Sequence, residues 1–103
     1  MMMSASCQAT VRIVNRLGLH ARPAAHFVRL AARFAADIYV SRDSLEVNGK
    51  SIMGVMMLAA EQGAEIEIRA DGEDAEKAVE GLVVLVEPAL DEGRPIRGGE
   101  DRG

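Results

Sequence analysis

Apolar positions recur along the chain in two periods, and the switches between them predict seven elements. From 9 to 14, Ala9, Val11 and Ile13 face one way and Thr10, Arg12 and Val14 the other, the alternation of a half-buried strand. The segment Asn15, Arg16, Leu17, Gly18 breaks that alternation, and a helical period follows over about 21–35. Ala24, Phe27, Leu30 or Ala31, and Phe34 make its apolar stripe, and His26, Arg29 and Arg33 share the opposite face. Pro23 fits the first turn of that helix, where a backbone N–H has no helical partner to lose. Ile38 and Val40 then alternate over 37–41, and the turn residues Arg42, Asp43 and Ser44 lead into a short strand with Leu45 and Val47 on one face.

After the turn at Asn48 and Gly49, Ser51 is an N-cap for an apolar segment over 52–60. Its buried stripe can be supplied by Val55, Leu58 and Ala59, which leaves Ile52 and Met53 free to be exposed; Gly63 ends the segment. Ile66 and Ile68 point inward in a fourth strand over 64–70, with Glu65, Glu67 and Arg69 outward. A last helical stripe runs through Ala75, Ala78, Val79, Leu82, Val83 and Val86, ending near Pro88. The order β-α-β-β-α-β-α predicts an α+β domain in two layers, an antiparallel or mixed sheet with all helices on one face. Residues 1–8 are expected to fray, 9–91 to form the domain, and 92–103, rich in Gly, Arg, Asp and Glu without an apolar period, to be a disordered tail.

Length and composition narrow what such a domain can do. The 103 residues make one domain. Phe27, Phe34 and Tyr39 are the only aromatic residues, so a stacking platform for nucleic acid is not available. No run approaches the roughly 20 apolar residues of a membrane span. A single cysteine, Cys7, excludes an internal disulfide framework and leaves the cytosol as the expected compartment; it reads as a structural or incidental thiol. The net charge is -4, yet residues 1–36 hold five arginines and no acid. That asymmetry suits an acidic partner or a phosphate-bearing group, and equally a solvated helix face, so neighbouring chemistry must decide.

That chemistry sits at 18–23. Gly18, Leu19, His20, Ala21, Arg22, Pro23 places a histidine at a helix mouth, where unpaired backbone N–H groups and about half a positive charge attract anions. Imidazole is a good nucleophile that is largely neutral near pH 7, and Arg22 can fork onto phosphate oxygens. The combination suits a histidine that accepts a phosphoryl group and releases it. His26 lies about 120° around the helix from His20, so the two cannot chelate one metal, and neither a metal nor a cofactor is expected. A second segment, 50–56, presents Ser51 at a helix start beside Ile52 and Met53; phosphate there would add about -1.5 to -2 charges where folding tolerates them and an acidic partner would not.

Together the motifs GLHARPAA (18–25) and KSIMGVM (50–56) resemble the HPr family, the histidine-containing phosphocarriers of the bacterial phosphoenolpyruvate-dependent phosphotransferase system. The resemblance implies an open-faced β-sandwich, a four-stranded antiparallel sheet covered by three helices. It also implies that enzyme I phosphorylates His20 on Nδ1 and that an enzyme IIA domain receives the group. Arg22 would assist the phosphohistidine and Pro23 shape the helix start, while Ser51 matches the position modified by HPr kinase/phosphorylase. The docking residues expected are Leu19 and Ala21 beside the histidine, Arg29 and Arg33 on the basic face, and Ile52, Met53 and Met56. Leu17 stands where many members carry a small polar residue able to reach the phosphate. The run 54–60 resembles the nitrogen-type branch as well as the sugar-transport branch.

Two other functions compete with a carrier. In a regulatory interaction domain Ser51 would be the primary site and His20 secondary, and the two roles can coexist. A small phosphatase using His20 lacks parts, because 17–22 and 50–56 contain no carboxylate to act as general acid or base. A carrier that presents one face to several partners is expected to be a monomer.

Overall fold

A computed structural model describes residues 5–16 and 18–87. Its elements are β1 (Ser6–Arg12), α1 (Ala21–Ala31), β2 (Asp37–Arg42), β3 (Leu45–Asn48), α2 (Ile52–Met57), β4 (Glu65–Asp71) and α3 (Ala75–Val86). The strands form one sheet in the order β1-β4-β2-β3, and each neighbouring pair is antiparallel. Register explains why only one face is covered. Ala9 pairs with Ile68, Ile68 with Val40 and Val40 with Val47, an apolar row across all four strands. One residue over, Gln8, Arg69, Tyr39 and Asn48 form the corresponding polar row, since successive side chains alternate between faces. On that open face the Arg69 guanidinium stands 4.2 Å from the Tyr39 ring centroid. The apolar side is closed by Ala24, Phe27 and Ala31 of α1, Val55 of α2, and Ala75, Ala78, Val79, Leu82 and Val86 of α3, all buried. This is the open-faced sandwich, with three helices over a four-stranded antiparallel sheet.

Element ends differ from the sequence reading for identifiable reasons. β1 begins at Ser6, inside the stretch expected to fray, because Ser6 and Cys7 continue the ladder opposite Asp71 and Ala70. Cys7 packs against the core instead of lying in a loose start. The strand stops at Arg12, whose N–H donates to Glu87 Oε1 at 2.7 Å. α1 stops at Ala31, four residues early. Arg33 and Phe34 turn more tightly onto Leu30 and Ala31, and the N–H groups of Ala35 and Ala36 each donate to the Asp74 carboxylate at 2.8 Å. Those bonds, first that of Ala35, hold the Asp74 carboxyl below its ordinary range against the opposing effect of burial.

α2 is also short. The guanidinium of Arg42 donates to the carbonyls of Leu58 and Ala59 at 3.3 and 2.7 Å, and Ala59 takes a left-handed φ of 50°. Ala59 is therefore exposed, and Ala60 fills the buried position expected of it. Residues 1–4, Leu17 and the tail expected at 92–103 lie outside the described residues.

Candidate functional site

His20 is the N-cap of α1, with extended backbone angles and an exposed side chain that makes no capping hydrogen bond. Its carbonyl accepts the Ala24 N–H at 2.9 Å, and Pro23 has no N–H, so the groups this helix end lends to an anion are the N–H of Ala21 and of Arg22. Ala21 and Arg22 are exposed, and Pro23, at the third helical position, rigidifies the first turn. Arg22 also lines a cleft of about 280 Å³ with Asn15 and His26 over a floor that includes Phe27 and Val86. His26, expected to be a solvated residue of the basic face, is exposed at this cleft beside Arg22.

The loop before His20 is built on a close approach. Gly18 has a φ of 74°, a left-handed conformation that glycine takes without steric cost. A methyl in its place would collide with the Ala60 carbonyl oxygen and come within 2.9 Å of the Glu61 Cα. The same Ala60 carbonyl accepts the Leu19 N–H at 2.8 Å. Leu19 thereby turns into the core and is only 6% exposed, so the docking role expected of it is corrected to an anchoring one. Arg29 and Arg33 are exposed, as expected of the outer face of α1 and the turn after it.

Ser51 caps α2, its Oγ accepting the Gly54 N–H at 3.0 Å. Val55 faces the core, while Ile52, Met53 and Met56 are exposed, Met53 by 74%. Met57 and Leu45 are exposed apolar residues too and were not singled out by sequence. Met57 follows Met53 by four positions, the spacing that puts both on one helix face, and that signal was available. α2 packs on α1 and β3, which keeps the two motifs on the helical layer. Among the described residues no group of three His, Cys, Asp or Glu side chains is placed to hold a metal ion. Among them, too, no helix is long and apolar enough to cross a membrane.

Fold and site define a one-sheet open-faced sandwich that presents a histidine at the mouth of its first helix. The family model described as "PTS HPr component phosphorylation site" matches residues 7–88. The phosphocarrier protein HPr of Neisseria meningitidis is 43% identical over 84 residues, covering 82% of this chain and 94% of that protein. The crystal structure of HPr from Bacillus anthracis superposes with a TM-score of 0.78 at 48% identity, covering 81% of this chain and 99% of that one. An HPr dimer from Thermoanaerobacter tengcongensis gives a TM-score of 0.64 at 46% identity over 80% of this chain and 94% of its own. The chain belongs to the HPr family of phosphocarrier proteins of the phosphotransferase system. The dimeric relative is at odds with the monomer expected from sequence.

Proposed function

We propose that His20 is the phosphoryl acceptor of this phosphocarrier. In the transfer, the lone pair of neutral Nδ1 forms the P–N bond as the bond from phosphorus to the phospho-enzyme I donor breaks and the donor keeps its electron pair. The proton on Nε2 stays in place. Reversal of the same step onto an enzyme IIA domain discharges the carrier. The observation that carries this reading is the exposed imidazole of His20, free of any capping bond, at a helix end whose Ala21 and Arg22 N–H groups stand beside it. With the Arg22 guanidinium they would spread the charge of the transferring group. The protein is a carrier and not a catalyst with turnover of its own, and it works in the cytoplasm.

The apolar patch of Ile52, Met53 and Met56, the cations Arg29 and Arg33, and Ala21 beside the histidine make the docking surface for these partners. Ser51 is the regulatory site for HPr kinase/phosphorylase: a phosphate on its Oγ would sit at the start of α2 next to that patch and repel an acidic partner. Whether the acceptor belongs to sugar uptake or to the nitrogen-type branch is decided by which enzyme IIA discharges the carrier.

The test is intact-mass analysis after incubation with enzyme I, magnesium and phosphoenolpyruvate. One added phosphate that brief acid removes is expected, with none on a folded His20→Ala variant; uptake by that variant refutes the assignment. Incubation with the kinase and ATP should add an acid-stable phosphate that Ser51→Ala does not take.

A further inference from the structure

The segment that leads into His20 hangs on the loop between α2 and β4, and one arginine from the other side of that loop determines how it is held. The two ends of the loop are secured differently. Its far end continues the pairing of β1 with β4: Ile13 N–H donates to the Ala64 carbonyl at 2.9 Å and Gly63 N–H to the Ile13 carbonyl at 2.8 Å. Its near end, 58–61, has no strand to pair with and carries Ala59 in the left-handed region that residues with a Cβ rarely adopt. There Arg42, the last residue of β2, spans four acceptors. Nη1 reaches the Leu58 and Ala59 carbonyls at 3.3 and 2.7 Å and Glu61 Oε1 at 2.9 Å, while Nη2 reaches Glu61 Oε2 at 3.1 Å. One residue beyond Ala59, the Ala60 carbonyl takes the Leu19 N–H, and Leu19 is bonded to His20.

We infer that Arg42 is a positioning residue for phosphoryl transfer at His20, acting through the Ala59 and Ala60 peptides on the Leu19 amide. The inference rests on His20 being the acceptor. A planar guanidinium fixes the direction of several acceptors at once, which a point charge cannot do. It holds the strained Ala59 peptide in place and so keeps the Ala60 carbonyl aimed at Leu19. Its hydrogen bonds to Glu61 are the largest cause holding that carboxyl below its ordinary range, so the clamp is charged on both sides at neutral pH. The hydrogen bonds and ion pair of Arg42 go to Leu58, Ala59 and Glu61 and not to His20, Ile52 or Met53, and its contribution is therefore to geometry at the reacting atom and not to binding.

The experiment compares the full chain with Arg42→Met and Arg42→Lys, using Arg69→Met as a control that removes a forked, ion-paired arginine from the open sheet face. Steady-state uptake from phospho-enzyme I is measured with this chain as the varied substrate, together with hydrogen exchange at the Leu19 amide. Arg42→Met should lower kcat by about ten- to a hundred-fold, the scale of a sub-ångström to ångström misplacement, with KM unchanged. Leu19 should lose exchange protection, and Arg42→Lys should recover part of both. Arg69→Met should leave kcat and Leu19 exchange as they are. Should Arg42→Met fail to fold, Arg42→Lys carries the comparison alone, with a kcat below the full chain's expected. Wild-type kcat in the Arg42 variants, or an equal fall in Arg69→Met, overturns the inference while His20 remains the acceptor. No phosphate uptake by the full chain overturns the acceptor assignment and this inference with it.

Discussion

Gly18→Ala and Gly63→Ala form a matched pair that isolates the cost of the close approach beneath His20. Both glycines have positive φ, 74° and 89°, so alanine pays a similar left-handed cost of about 1–2 kcal/mol at each. Both variants also gain the same small amount from a less flexible unfolded chain, which cancels in the comparison. The difference lies in space. A methyl on Gly63 meets nothing within 4 Å, whereas one on Gly18 runs into the backbone of the Ala60–Glu61 peptide, at the Ala60 carbonyl and the Glu61 Cα. Backbone cannot rotate out of the way as a side chain would, so the loops must separate and the 2.8 Å bond from Leu19 N–H to Ala60 is lost. An amide left unpaired beside the buried Leu19 side chain costs about 1–3 kcal/mol more. At the middle of these ranges Gly18→Ala is less stable than Gly63→Ala by about 2 kcal/mol. For a domain of this size that is roughly 8–16 °C in Tm. Urea and thermal unfolding followed by circular dichroism measure both. Equal losses in the two variants would refute the close approach as the reason for glycine at 18.

The cap on α2 gives a second prediction: Ser51→Ala should lose about 1 kcal/mol, read as a fall of about 4–8 °C in Tm, and Ser51→Asp, which can also cap, should not. Asp74 gives a pH prediction. Its carboxyl is held below the ordinary aspartate value of 3.8, chiefly by the Ala35 N–H, so its contribution is fully present above that value and is lost as pH falls below it through the folded pKa. Asp74→Asn should therefore be less stable than the parent at pH 7, with the gap closing in unfolding curves taken below about pH 4. Met53→Ser, at the most exposed point of the α2 patch, should leave stability within about 0.5 kcal/mol while weakening binding to enzyme I in a calorimetric titration; undiminished affinity would remove Met53 from the docking surface.

What sequence reading could and could not reach follows from how local each feature is. Ile66 and Ile68 announce β4 because the sheet has one wet face, which makes alternation clean; the row through Ala9, Ile68, Val40 and Val47 is that alternation made spatial. The candidate site is legible for the same reason: glycine, histidine, arginine and proline lie within 18–23, and a helix start needs only its own first turn to be recognised. Helix ends are a different problem. α1 is cut short by Asp74, 39 residues from the Ala35 it captures, and by Lys50, whose Nζ donates to the Phe34 carbonyl at 2.8 Å. α2 is cut short by Arg42, and no helical period within 52–60 carries that information.

Leu19 shows how the two kinds of information collide at one residue. Beside His20 in sequence, it reads as part of an exposed docking loop; in the fold, the left-handed Gly18 turns the chain so that Leu19 drops into the core and its N–H meets Ala60. His20 is thus local chemistry mounted on a non-local frame. A motif can specify the imidazole, the helix mouth and the arginine. The Leu19 amide just before the imidazole is held by a carbonyl forty residues from His20, and so by the residues that hold that carbonyl still.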